Sequence, residues 1–488
     1  MNHANYSPFS FVYSVFFTLW MLAFSLGGYS QTRQFTAGAS ATNITPPLGE
    51  GIVGNFGIPP PAAHVHDELH VRTLVLSDGG KTLAFVISDN VGIKREVFDE
   101  AKRLIQEETK IPKEHVLMAA THTHSSVSAG GVGDRRRGWN VDQPLDEYQT
   151  FIARRMADGV RIALNNMEPA QIGWGSGNLP QHVFNRRWMM KEKVLNPFGQ
   201  YDQVQFNPGV NNSNKVKPAG PTDPEIAFLS VQSLEGRPIA LLANYSLHYV
   251  GGVPKDHLSA DYFGIFADRI QELLQADRQD PPFVGIMTNG TSGDVNNINF
   301  HGPAESHPPY AKMKIVANDA AEEVFKVYRE IKYQKWVPLQ AAQSELHLTV
   351  RQPSQEMLEW ARAKKDQPED VKSEHPLEKT YANRVFQISE EWPDEVPVIL
   401  QVFSIGELGI AAIPFEVFTQ IGLDIKSKSP FDSTFAIELA NGSYGYLPTP
   451  EQHLLGGYET WLGTNMVETG ASSKITDRIM TLFRQIKQ

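Results

Sequence analysis

Two histidines two residues apart, in Thr121-His122-Thr123-His124-Ser125, close the apolar run His115-Val116-Leu117-Met118-Ala119-Ala120. The run is short, continuous and apolar, as a buried strand is. In an extended chain, side chains at i and i+2 point the same way. Both imidazoles are therefore expected on one side of a strand end, where open α/β sheets hold their ligands. Imidazole is the commonest metal ligand and titrates nearest neutral pH. The loop Ser125-Ser126-Val127-Ser128-Ala129-Gly130-Gly131 leaves room for a substrate. Taken alone, the motif fits a pair of hydrogen-bonded histidines at a strand edge better than it fits a metal centre, since short motifs often match by chance.

Other strand-like segments also end in groups able to do chemistry: Ala243-Asn244-Tyr245-Ser246-Leu247-His248, Ile410-Ala411-Ala412-Ile413-Pro414-Phe415-Glu416, and the stretch from Ala440 to Thr449. The chain contains no cysteine, which excludes disulfides, zinc-thiolate sites, iron–sulfur clusters and a thiol nucleophile. A metal would have to be held by His, Asp, Glu, Tyr or backbone oxygen. The formal net charge of −11 and the lack of a basic run argue against nucleic acid as a partner.

The 488 residues are 41% hydrophobic, enough for a large core. Residues 1–30 carry no Lys, Arg, Asp or Glu, and Phe9 to Leu26 is largely apolar. This predicts a signal peptide ending near Ser30, and a secreted or periplasmic protein. The missing basic n-region leaves an uncleaved N-terminal anchor as the alternative. Strands are predicted over 71–76, 82–87, 226–231, 239–245, 283–287, 398–403 and 408–413. Helices are predicted over 98–108, 148–167, 263–274, 319–332, 357–365 and 473–487. Lys191 to Pro221 reads as a long loop or lid, and Lys365 to Glu395 as a charged, solvated excursion. The mixture predicts an α/β fold: one large domain, residues 36–488, around a mixed β-sheet with flanking helices.

Taken in order, the motifs resemble the catalytic domain of the neutral (alkaline, non-lysosomal) ceramidases. The opening Thr42-Asn43-Ile44-Thr45-Pro46-Pro47 is similar to that family's, with Asn43 where Asp is usual. His122-Thr123-His124-Ser125, Asn185-Arg186, His248 at a strand end, the segment Asn289 to Asn297, Pro414-Phe415-Glu416, Tyr446-Leu447-Pro448-Thr449-Pro450-Glu451 and Tyr458 follow in the family's order. The resemblance implies one Zn2+ per chain, held by His122, His248, Glu416 and Tyr446. It implies hydrolysis of an N-acyl amide bond, in ceramide or a related N-acyl lipid, by zinc-activated water. It assigns His124 as general acid/base, Arg186 to substrate orientation and Tyr458 as a donor to the developing oxyanion.

Each residue also fits a structural role. His248 could be a structural histidine, Glu416 could occupy the first turn of a helix read from Val417 to Ile425, Tyr446 and Tyr458 could be core or interface aromatics, and Arg186, followed by Arg187, could be a surface salt-bridge partner. Two departures bear on the substrate. Asn296 stands where the family carries Ser, so a serine nucleophile at that position is excluded while Asn296 can still hydrogen-bond substrate. The family's appended C-terminal β-sandwich is not expected here. These departures support a second reading, a zinc hydrolase of a non-lipid amide or ester. A third is a non-catalytic binding protein on the same scaffold. The partner implied is a small-molecule or lipid substrate, with peripheral membrane contact in the lipid case; no oligomeric state follows from the residues.

Overall fold

The computed structural model describes Met1 and residues 33–54, 57–127, 144–368 and 371–487. The predicted signal segment and Ser128 to Gly131 of the loop after the histidines lie outside the described residues. No helix among the described residues is long and apolar enough to cross a membrane.

The main strands, in chain order, are β1 (Thr36–Asn43), β2 (His70–Ser77), β3 (Thr82–Ser88), β4 (Val116–Ala120), β5 (Glu168–Asn178), β6 (Arg187–Leu195), β7 (Tyr201–Phe206), β8 (Lys215–Pro218), β9 (Glu225–Ser233), β10 (Pro238–Tyr245), β11 (Val284–Asn289), β12 (Leu339–Thr349), β13 (Glu395–Ile405), β14 (Leu408–Ala412) and β15 (Ser433–Ile437). The principal helices are α1 (Arg95–Thr109), α2 (Glu147–Asn165), α3 (Asp261–Leu273), α4 (Ala311–Tyr328), α5 (Gln355–Lys365), α6 (Glu378–Glu391), α7 (Thr419–Lys428) and α8 (Ala471–Lys487).

An eight-stranded mixed sheet runs in the order β11-β10-β9-β5-β1-β2-β3-β4, and a four-stranded sheet in the order β12-β13-β14-β15. The expected mixed sheet is thus present, with a second sheet packed face to face against it. Alternation explains the layering. Along β3, Leu83, Phe85 and Ile87 join Phe403, Ile405 and Ile410 between the sheets, while Ala84 and Val86 face α1 and α2. Side chains of a strand alternate between faces, so a strand apolar at every position is covered on both. α3 and α4 cover the other half of the large sheet. α5 to α8 cover the outer face of the small one.

Three parallel pairs position the site. β3–β4, β10–β11 and β14–β15 are parallel. A parallel pair needs a crossover, here α1, α3 and α7 respectively. His122 follows β4, His248 follows β10 and Glu416 follows β14, so each candidate ligand leaves the carboxyl end of a crossover strand. The large sheet curls until its edge strands β4 and β11 approach. The segment Glu438–Asn441 stitches that gap: Glu438 N donates to Asn289 O (3.2 Å), Leu439 O accepts from Ala120 N (3.3 Å) and Asn441 N donates to Met118 O (2.9 Å).

Three expectations are corrected. Lys191 to Pro221 is not one long loop: 191–195, 201–206 and 215–218 belong to an antiparallel ribbon, β7-β6-β8, and its Asn, Pro and Gly residues serve the turns between strands. Lys365 to Glu395 is not a solvated excursion: α6 buries Tyr381, Ala382, Val385 and Ile388. The predicted helix 319–332 begins earlier, at Ala311.

Lys102 on α1 is buried, and its Nζ donates to Asn441 Oδ1 at 2.7 Å. Burial, only partly offset by Asp99, pushes its amine down to about 7. Between that value and the ordinary lysine range, the unfolded chain holds a proton that the folded chain lacks. Stability should therefore rise by about 1.4 kcal/mol per pH unit from this residue alone as pH climbs from 7 toward 10. Lys102→Met should flatten that slope in urea unfolding measured across the range; an unaltered slope would refute the assignment.

Candidate metal centre

β4 ends at Ala120, before the histidines. Thr121 N donates to Ser88 O and His122 N to Asn90 O, which turns the chain out of the sheet. His122 adopts φ +76°, a left-handed conformation that non-glycine residues seldom hold without functional reason. The two imidazoles therefore do not share a strand face, as i, i+2 spacing predicted. They meet edge to face across a kink, rings 89° apart, with Nε2 atoms separated by 3.2 Å.

His248 joins them. Its Nε2 lies 3.0 Å from His122 Nε2. The three imidazoles form a group compact enough to hold a metal ion. Two are fixed from behind. His122 Nδ1 donates to Val91 O. His248 Nδ1 faces both the carbonyl and Oγ of Ser292 at 3.2 Å. With Nδ1 carrying the proton, each Nε2 presents a lone pair, the tautomer a metal requires. Two lone pairs 3.0 Å apart repel unless a cation lies between them. Donor atoms in a tetrahedral zinc shell stand about 3.3 Å apart, given bonds of about 2.0–2.1 Å.

The oxygen donors come from a two-residue parallel ladder in which Glu416 pairs with Tyr446. This sets carboxylate and phenol side by side, and the Tyr446 hydroxyl donates to Glu416. Glu416 Oε2 is buried, accepts no hydrogen bond, and lies 3.4 Å from His122 Nε2 and 3.8 Å from His248 Nε2. An orphaned buried carboxylate oxygen beside two imidazole lone pairs fits a divalent cation. Glu416 precedes α7 and stands outside its first turn, so it is not a helix-capping carboxylate.

The electrostatics agree. Burial pushes His248 and His124 well below the ordinary histidine range, which keeps both neutral at pH 7. Burial opposes a charge on His122 too, but the adjacent Glu416 outweighs it and raises its pKa. Burial likewise disfavours a charge on Glu416, yet His122, Tyr446 and Arg186 hold it below the ordinary carboxylate range. The centre thus favours positive charge beside His122.

Arg186 is buried, not a surface partner. Its Nη2 donates to Gly293 O at 2.7 Å and its Nε to Glu459 Oε1 at 3.2 Å. Its guanidinium lies over Tyr446, 5.4 Å from the ring centroid, and hydrogen-bonds that phenol. Glu459 also accepts from Arg187 at 2.6 Å, so one carboxylate fixes both guanidinium groups. The Tyr458 ring stands 5.9 Å from that of Tyr446 and 5.0 Å from Phe206, half-buried at the rim of the centre. Asn296 is held locally: it donates to Asn207 Oδ1 at 2.7 Å and accepts from Ile298 N at 2.9 Å. Asp294 is a structural hub, accepting from Thr419 and Asn185.

Sequence reasoning missed four groups. Ser292 holds His248 and passes its own proton toward Glu438 Oε1 at 2.7 Å. Glu438 also accepts from Val417 N at 2.7 Å. Its signal was an acid inside the apolar run Phe435-Ala436-Ile437-Glu438-Leu439. Tyr249 stacks on His124 at 3.7 Å. Gly54 also approaches His124 closely; a Cβ there would stand 2.7 Å from His124 Cγ. Ser292→Ala is expected to weaken divalent-metal binding about 10- to 100-fold, read by competition with a chromophoric chelator, while circular dichroism stays unchanged. Undiminished affinity would show that Ser292 does not orient His248.

The neutral/alkaline non-lysosomal ceramidase N-terminal family matches residues 35–314. Two solved structures are similar over the whole fold. One is a neutral ceramidase from Pseudomonas aeruginosa, with 16% identity, 92% of this chain and 74% of that chain covered, and a TM-score of 0.65. The other is a ceramidase complexed with C2, with 16% identity, 92% and 75% covered, and a TM-score of 0.65. With more than half of its length matched by the family, and with this fold around the His-Thr-His motif, the chain belongs to the neutral/alkaline non-lysosomal ceramidases.

Proposed function

We propose that this chain is a zinc-dependent amidohydrolase that cleaves an N-acyl amide bond, with ceramide or a related N-acyl lipid the substrate class its family implies. The observation that carries the reading is the convergence of His122 Nε2, His248 Nε2 and the orphaned Glu416 Oε2 at 3.0–3.8 Å. His122, His248, Glu416 and Tyr446 would hold the ion. When bound, zinc would polarise the amide carbonyl and make water nucleophilic near neutral pH.

The remaining roles fall to the chain itself. His124 is neutral, stacked on Tyr249 and in close contact with Gly54, so its Nε2 can take a proton from water and deliver it to the leaving amine. Arg186, braced by Glu459 and Gly293 O, presents a fixed guanidinium to the acyl oxygen. Tyr458 supplies a phenolic donor for the oxyanion from the rim. Asn296 borders the substrate with the hydrogen-bonding capacity left after Asn207 and Ile298. The apolar segment Phe9 to Leu26 supports a secreted or periplasmic location.

Metal analysis of the purified chain should find about one zinc per molecule, and chelation should abolish acyl release from a short-chain ceramide. A protein that stays metal-free after zinc loading would end this reading. The two histidines should part company under mutation. His122→Ala should lose both metal and turnover, whereas His124→Ala should retain metal and lose about 10²- to 10⁴-fold in kcat. Equal loss of metal in both variants would make His124 a ligand instead.

A further inference from the structure

The imidazoles of His122 and His248 are each held from behind by a hydrogen bond at Nδ1. His124 is not. Its Nδ1 is buried against the Gly54 backbone without a hydrogen bond of good geometry. A Cβ on Gly54 would stand 2.7, 2.8 and 2.9 Å from His124 Cγ, Nδ1 and Cβ, so Gly54 packs against the root and one edge of the ring. Packing at the root limits the position of the ring more than its plane. The torsion about Cβ–Cγ joins an sp³ to an sp² carbon, and such torsions are broad. Turning there would swing Nε2 away from the centre.

The plane is fixed by Tyr249. Its ring lies over His124 with centroids 3.7 Å apart and planes 12° apart. The other two imidazoles meet His124 differently, His122 at 89° and His248 at 58°. A face-to-face contact opposes rotation of a flat ring, because any turn drives one edge into the neighbour. Tyr249 in turn sits on a braced backbone. Buried Asp261 accepts from Val250 N at 3.1 Å and Gly251 N at 2.8 Å, and Asn297 Nδ2 donates to Val250 O at 3.0 Å. Tyr249 directly follows His248, so one loop carries a candidate ligand and, on the next residue, the platform for His124.

We infer that Tyr249 is a positioning residue whose ring sets the plane of His124 and keeps its Nε2 at the centre, 3.2 Å from His122 Nε2. The assignment rests on the reading of His124 as proton carrier. The stack needs the ring and not the phenol hydroxyl, so phenylalanine should serve in its place.

The test uses the zinc-loaded full chain with N-butanoylsphingosine. Tyr249→Leu should keep its zinc and lose about 10- to 100-fold in kcat, with KM changed by less than about threefold. Tyr249→Phe should recover kcat to within about threefold of the native value. In a His124→Ala background, Tyr249→Leu should cost less than about twofold more, because its effect runs through that ring. An undiminished kcat in Tyr249→Leu, loss of its zinc, a Tyr249→Phe defect as deep as the leucine one, or a full effect in the His124→Ala background each overturns the assignment. If the native chain hydrolyses no acyl amide, or His124→Ala matches its rate, the proton-carrier reading fails separately. Modification of His124 by diethyl pyrocarbonate, mapped on tryptic peptides, then decides the stack: reaction at least about threefold faster in Tyr249→Leu than in Tyr249→Phe supports it, and equal rates overturn it.

Discussion

One buried carboxyl, Glu438, couples the two sides of the centre. It accepts from Ser292 N, Ser292 Oγ and Val417 N, and so ties the loop behind His248 to the residue following Glu416. The same residue begins the segment that stitches β11 to β4, which brings His122 to His248 across a sheet whose order keeps their strands far apart. Burial pushes this carboxyl up to about 8. At neutral pH it therefore adds little negative charge beside Glu416, and it holds the loops through hydrogen bonds.

The charge pattern of the candidate metal centre is set by how its buried charges are paired. Glu416 stands beside His122, on which it favours positive charge, and beside His248, which burial keeps neutral, and Arg186 and Arg187 share Glu459. Buried charges are costly unless paired and fully hydrogen-bonded. Here the paired charges are the two arginines with their glutamate, and Glu416 Oε2 is the group left without a donor. The left-handed backbone at His122 follows the same logic. Strain is retained where the surroundings hold a functional side chain in place, and the Val91 carbonyl and Asn90 carbonyl do so here.

Most of the apolar strands and helices were legible because their periods are clear. β3, β4, β9, β10, β13 and β14 appear where continuous apolar runs predict them. β5 was not recognised, since Glu168–Asn178 carries Gly173, Gly175 and Gly177 on one face. A Cβ at these positions would lie 2.9, 2.9 and 2.6 Å from atoms of Lys332, Ile331 and Glu323, so the glycines are imposed by α4 and the segment after it. That is a tertiary requirement with no local signature. α6 was hidden for a related reason: several of its polar residues border a cavity, so its charge made it read as solvated chain.

The sequence alone determined the residue types able to bind a metal, the exclusion of thiol chemistry, the α/β alternation and the family. Those follow from composition, from period and from the order of short motifs. The tertiary structure decided which side chains meet. His122, His248 and Glu416 are drawn from three crossover units separated by more than a hundred residues at each step. Their convergence depends on the curl of one sheet, its packing on a second and the Glu438 seam that closes the gap. These are long-range hydrogen bonds and packing contacts, and no local pattern in the chain encodes them.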